Sequence, residues 1–190
     1  MYTKMRRSRQ EMSCEETCAL MRRNTAGVLA LSGCADTGGF AYGVPLSYVY
    51  LDEDAWKQTL AADGFAPWSP TCDEPIVGRV FFHSARSGTK LNALAADGRA
   101  TFTVIDEDRI VPEEYTTYFR SAMAFGYARV IEGDTERLRA IEALAEKYSP
   151  DLPEGRAAVI EDQFEQVVMI ELAVVRLTGK EAIELVRARG

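Results

Sequence analysis

The chain should fold as a mainly β domain with flanking helices, closing into an antiparallel barrel, whole or split, of about six strands. Three observations predict this. Short runs rich in valine, phenylalanine, tyrosine and other strand formers recur between glycine- and proline-marked turns. Helical periodicity is confined to a few segments, and strands do not alternate strictly with helices as a doubly wound parallel sheet requires. With 190 residues, 47% of them hydrophobic, the chain can build one substantial core but not two comfortable ones, so a single domain over 1–190 is expected.

Ser13 followed by Glu16 reads as a capping box, opening a helix through about Arg23 whose apolar side is thin. Gly27-Val28-Leu29-Ala30-Leu31 is an apolar strand. A turn-forming region from Gly33 to Gly39 follows, and Phe40 to Leu51 resumes as a β-branched and aromatic strand, so the two should form a hairpin.

Between Asp52 and Pro75 the pattern fails. Trp56, Phe65, Pro67, Trp68, Pro70 and Pro75 are scattered among acids without a steady period, so this stretch reads as an insertion. A loop that long is uncommon unless functional or partly ordered, and its two tryptophans point to packing over a ligand mouth or a partner subunit.

Ile76 to Phe82 is a strand. Lys90 to Ala96 is a short helix with Leu91, Leu94 and Ala95 on one face, ended by Gly98. Arg99 to Asp106 alternates like a strand, and Tyr115 to Ile131 is a long aromatic strand with Gly126 as a bulge or bend. Asp134 should cap the best-defined helix, with Leu138, Ile141, Leu144, Ala145 and Tyr148 in a stripe and Pro150 as its stop. A short helix around Glu154 to Phe164, a buried strand from Val167 to Thr178 and a helical turn over Glu181 to Arg187 complete the chain.

The net charge is −7, with acids spread along the chain, which argues against a nucleic-acid surface; any anion must be captured locally. No apolar run approaches the roughly 20 residues that span a bilayer, and the basic start at Arg6, Arg7 and Arg9 leads into acids and not into a signal-peptide core. A cytoplasmic protein without a membrane partner is expected. Cys14, Cys18, Cys34 and Cys72 form no CxxC pair, and there is one histidine, so reduced thiols are expected and no metal site.

The most informative segment is His83-Ser84-Ala85-Arg86-Ser87-Gly88-Thr89-Lys90, where a strand ends in small and hydroxylated residues, then a glycine, then a lysine at a helix start. Free backbone N–H groups and the positive end of the helix dipole attract an anion. Gly88 permits close approach, Ser84 and Ser87 offer hydroxyls, and Lys90 supplies charge. The spacing is not that of a nucleoside-triphosphate loop. On the residues alone, an ordinary strand-to-helix turn explains the segment equally well. His83, the sole histidine, reads either as a structural residue or as a catalyst.

Several stretches together resemble the nitroimidazole-resistance branch of the pyridoxamine 5′-phosphate oxidase-like, FMN-binding split barrels. They are M-R-R near the start, A-G-V-L-A-L, Y-G-V-P-L-S-Y-V-Y, F-F-H-S-A-R-S-G-T-K-L-N-A-L, A-T-F-T-V and Y-F-R-S-A-M-A-F-G-Y-A-R-V-I-E. The resemblance implies a six-stranded antiparallel split β-barrel that binds FMN at the interface of a homodimer. It implies a phosphate held by His83, Ser84, Ala85 and Lys90, and a ring lying along Val44, Pro45, Leu46, Ser47 and Tyr48. Tyr118, Arg120 and Ser121 would reach the phosphate or the flavin edge, from the same or the partner subunit; for Arg120 a dimer salt bridge is an equal alternative. Two features depart from the family pattern: Ser47 stands where asparagine is common, and the Asp52 to Pro75 stretch replaces a tight turn.

The activity so implied is FMN-dependent reduction of a small organic acceptor such as a nitroaromatic, with His83 as candidate catalytic residue, donating a proton or contacting substrate. No dinucleotide fingerprint is present, so a nicotinamide donor would bind only transiently. The alternatives are a flavin- or haem-binding sensor or storage module without turnover, in which His83 could ligate haem, and pyridoxamine phosphate oxidation. The last is disfavoured because Arg176, Lys180, Arg187 and Arg189 lack the arrangement needed for a second phosphate.

Overall fold

A computed structural model describes residues 5–189. In chain order the elements are α1 (Cys14–Arg23), β1 (Ala26–Leu31), β2 (Tyr42–Ser47), β3 (Val49–Asp52), α2 (Glu53–Ala61), β4 (Gly78–Ala85), α3 (Thr89–Ala96), β5 (Arg99–Val111), β6 (Thr116–Val130), α4 (Asp134–Tyr148), α5 (Pro153–Gln163), β7 (Val167–Glu181) and α6 (Ile183–Arg189). The strands form one sheet in the order β2-β1-β5-β6-β7-β4-β3, and every named pair is antiparallel.

One residue, Tyr48, separates β2 from β3. The two are halves of a bent strand that pairs with β1 through its first half and with β4 through its second, so the bend brings the ends of the sheet together. Seven strands by assignment are thus six by path, and the split barrel expected from the sequence is the observed fold. Tyr48 pins the corner: it is wholly buried, its hydroxyl donates to the Met21 carbonyl at 2.8 Å, and its ring meets Phe102 edge-on at 4.7 Å.

Side-chain alternation sorts the strands into two cores. Val80 and Phe82 of β4 point into the barrel with Leu29, Phe102, Ala124 and Leu172. Phe81, between them, points outward into a second cluster with Val49, Met169, Trp56 and Leu60 of α2, and Ala140 and Leu144 of α4.

The stretch read as irregular from Asp52 to Pro75 opens with helix α2, whose buried face is Trp56 and Leu60, one turn apart. Two apolar contacts among acids are too few to register as a period. Trp56 packs on Phe81 at 4.5 Å, and Arg129 stacks over Trp68 at 4.7 Å, so both tryptophans contact the chain's own barrel wall. Beneath them Arg79, 1% exposed, bonds Glu53 at 2.6 Å, the Trp68 carbonyl at 2.8 Å and Glu171.

Other details correct the sequence reading. The α1 face is not thin: it buries Thr17, Cys18, Leu20 and Met21. Asp134 is the first helical residue of α4, and Gly133 is its cap; the Asp134 carboxylate instead meets Arg137 at 3.1 Å. In α3 the buried pair is Ala93 and Leu94, while Ala95 is exposed. The bend at Gly126 is present as a register shift between Phe125 and Gly126. A Cβ there would lie 2.0 Å from the Ala173 carbonyl oxygen, a distance no side chain can occupy.

Candidate functional site: a lysine-bearing turn and an adjoining recess

β4 delivers His83 and Ser84 to opposite faces, because neighbours on a strand alternate. Ser84 points inward and is 7% exposed, whereas His83 and Ala85 are exposed on the outer side. The two residues read together as phosphate ligands therefore do not point the same way. Arg86, next in line, is taken up by the Glu165 carbonyl and carboxylate.

The turn into α3 has the features an anion needs. Gly88 adopts φ +133° and ψ 168°, a region essentially restricted to glycine. A Cβ there would meet no atom within 4 Å, so backbone conformation, and not crowding, calls for glycine. Helix α3 starts directly after it with no side-chain cap, leaving its first N–H groups without a side-chain acceptor. Lys90 is half-buried and, among the described residues, makes no ion pair and no side-chain hydrogen bond. Burial alone pushes its amine below the ordinary lysine value. A half-desolvated ammonium without a counter-charge is unfavourable. Phosphate at this turn would remove that penalty, and on this observation the residues fit one.

On β2, alternation again divides the expected contacts. Pro45 and Ser47 are exposed on the outer face, while Val44 and Leu46 are half-buried against the barrel core. The Tyr48 side chain is a corner residue of the core and is unavailable to a ligand.

Tyr118, Arg120 and Ser121 lie far from this turn within one chain. On β7, Met169 pairs with His83 and Glu181 pairs with Arg120, twelve residues apart (181 − 169), which is roughly 40 Å along the strand. Tyr118 donates to Glu114 at 2.8 Å under the Arg109 guanidinium at 4.6 Å. Arg120 lies 3.4 Å from each of Asp106, Glu107 and Glu181. Ser121 is half-buried and pairs with Lys180. Within one chain this end of β6 does not reach the turn.

His83 opens instead onto a recess of about 270 Å³ that it shares with Ser47, Val167 and four α4 residues, Ile141, Leu144, Ala145 and Tyr148. By sequence periodicity these α4 residues form an apolar stripe, with no mark of a site. The only sequence signal for their second role was that the stripe ends in a tyrosine.

The model for the pyridoxamine 5′-phosphate oxidase family matches residues 13–181, from the cap of α1 to the end of β7. The chain belongs to this family. Solved structures share the family fold at low identity. A candidate 5-nitroimidazole antibiotic resistance protein from Bacteroides thetaiotaomicron is 17% identical, with a TM-score of 0.60 over 90% of this chain and 86% of that one. The conserved hypothetical protein Rv2991 from Mycobacterium tuberculosis is also 17% identical, with a TM-score of 0.67 over 94% and 90%. An FAD and heme binding protein from Mycobacterium smegmatis is 20% identical, with a TM-score of 0.60 over 96% and 80%. No curated protein sequence matches this family member. Among its described residues no helix is long and apolar enough to cross a membrane.

Proposed function

We propose that this family member is an FMN-dependent oxidoreductase that reduces a small organic acceptor such as a nitroaromatic, working as a homodimer with FMN at the subunit interface. The observation that carries the reading is Lys90, a half-buried cation without a counter-charge beside the glycine-only turn at Gly88. A fold relative described as binding FAD and heme supports a flavin in such a barrel.

When bound, the flavin supplies the electron-transfer chemistry. The chain's part is to bind and orient. Lys90 and the first N–H groups of α3 hold the phosphate. Exposed Pro45 and Ser47 on β2 form a wall for the ring, with the Ser47 hydroxyl as its polar group. The partner subunit supplies Arg120 and its neighbours, whose position within one chain is too remote to serve their own turn.

Visible absorption of the purified protein, with mass spectrometry of the released cofactor, tests the binding; reduction of a nitroaromatic with a nicotinamide donor tests the activity. A two-peaked flavin spectrum and donor-dependent loss of the nitro absorbance are expected. A Soret band in place of the flavin spectrum would sink the proposal.

A further inference from the structure

The recess beneath the last turns of α4 has a different chemistry from the lysine turn. Its walls are aliphatic, from Ile141, Leu144, Ala145 and Val167, and among the described residues no aspartate, glutamate, lysine or arginine lines it. An ionised carboxylate or phosphate entering it would shed water without meeting an opposite fixed charge. A dry aliphatic cavity of about 150 Å³ is enough to take benzene; this open recess, at about 270 Å³, has room for one ring and a substituent.

We propose that this recess is the acceptor site and that it takes an uncharged, single-ring aromatic molecule carrying one hydrogen-bonding substituent. Ser47 and His83 are the groups that meet the substituent. Neither side chain has a hydrogen-bond partner among the described residues, and both stand on the outer face of the barrel. The Tyr148 hydroxyl is already engaged with the backbone at Thr25 and Tyr48, so Tyr148 offers its ring as a wall. That anchoring keeps the recess formed before any ligand arrives, which lowers the cost of binding.

Strand alternation gives His83 to this recess and Ser84 to the barrel interior, so His83 contacts the acceptor and takes no part in holding phosphate. Ser47 lies on the same β2 face as Pro45, the face proposed for the flavin, and an acceptor in the recess would therefore abut the ring. The inference rests on the proposed flavin reading for its redox role, but binding in the recess can be tested without it.

His83 is the only histidine in the chain, so its imidazole gives a single set of NMR signals. Titrating nitrobenzene into the protein as isolated should move those signals saturably, and 4-nitrobenzoate should need at least a tenfold higher concentration for the same shift. Ala145→Phe, which fills the recess from α4, should abolish the shift and raise the KM for nitrobenzene at least tenfold, with the bound flavin retained. Signals unmoved by nitrobenzene up to its solubility limit would overturn the assignment, as would a folded Ala145→Phe protein with unchanged KM. Should that variant not fold, the wild-type titration decides alone. Absence of flavin absorbance would defeat the flavin reading separately, leaving the His83 titration to judge the recess.

Discussion

The Tyr148 hydroxyl accepts a hydrogen bond from the Tyr48 amide at 3.0 Å and contacts the Thr25 carbonyl, tying the last turn of α4 to the corner where β2 becomes β3. Tyr148 is also a wall of the recess that Ser47 and His83 open onto. One side chain thus joins the barrel corner to the proposed acceptor site.

Tyr148→Phe keeps the ring and removes these bonds. Stability in urea should fall by about 1 kcal/mol, the usual net worth of such hydrogen bonds at a half-exposed position. Because the helix end would also loosen, nitrobenzene binding reported by His83 should weaken in the same variant.

Lys147 provides a pH test. Its ammonium lies 4.1 Å from the Tyr48 ring centre and donates to the Asn24 carbonyl, and burial lowers its pKa from 10.5 to about 8. Between those two values the unfolded chain holds a proton that the folded chain has released. Stability therefore rises with pH across that window, and the burial penalty is fully present below pH 8. The unfolding free energy of wild type relative to Lys147→Met should increase from pH 7 to pH 10; a difference that stays flat would show that the Lys147 amine is not desolvated.

Lys90→Ala removes the uncompensated cation from the turn. Retention of the proposed FMN should weaken by about 1 to 3 kcal/mol, a charge-assisted bond's worth, or roughly 5- to 150-fold in Kd, measured by flavin fluorescence on dilution. Unchanged affinity would remove Lys90 from the site.

Gly88→Ala forces an L side chain into φ +133°. The strain is about 1 to 3 kcal/mol, and open space around the position offers no steric relief or penalty of its own. Either the turn shifts, and flavin is lost, or stability falls by that amount with flavin retained; thermal unfolding and flavin content together distinguish the two.

Arg79→Met removes the cation that Glu53 and Glu171 share beneath α2, leaving Glu171 with Arg129 alone. Breaking such a buried cluster from one side costs about 3 to 5 kcal/mol, which denaturant unfolding would detect. Exposed pairs such as Arg22 with Asp52 should by comparison contribute about 1 kcal/mol or less.

Much of the fold was legible because local signals suffice for it. The Ser13 and Glu16 cap forms both of its hydrogen bonds, Gly126 marks a real register shift, and the apolar density of Val167 to Val175 suits β7 to its interior place between β6 and β4. The glycine and lysine of the β4–α3 turn could likewise be found in the sequence, since backbone freedom and a charge at a helix start are local properties. The helix at Glu53–Ala61 was hidden because its buried face rests on Trp56 and Leu60 alone, and its neighbouring acid Glu53 is buried only because Arg79 meets it.

The sequence by itself determined the strand segments and every helix but α2, the turn that could receive a phosphate, and the family to which the chain belongs. Only the tertiary structure decided which way each site residue faces and what it meets. It set His83 apart from Ser84, gave Tyr48 to the core, carried Arg120 to the far end of the barrel, and brought Tyr148 to Ser47 across a hundred residues of chain. Facing depends on strand register and on which element covers a surface, and both are settled by long-range packing that no local pattern encodes.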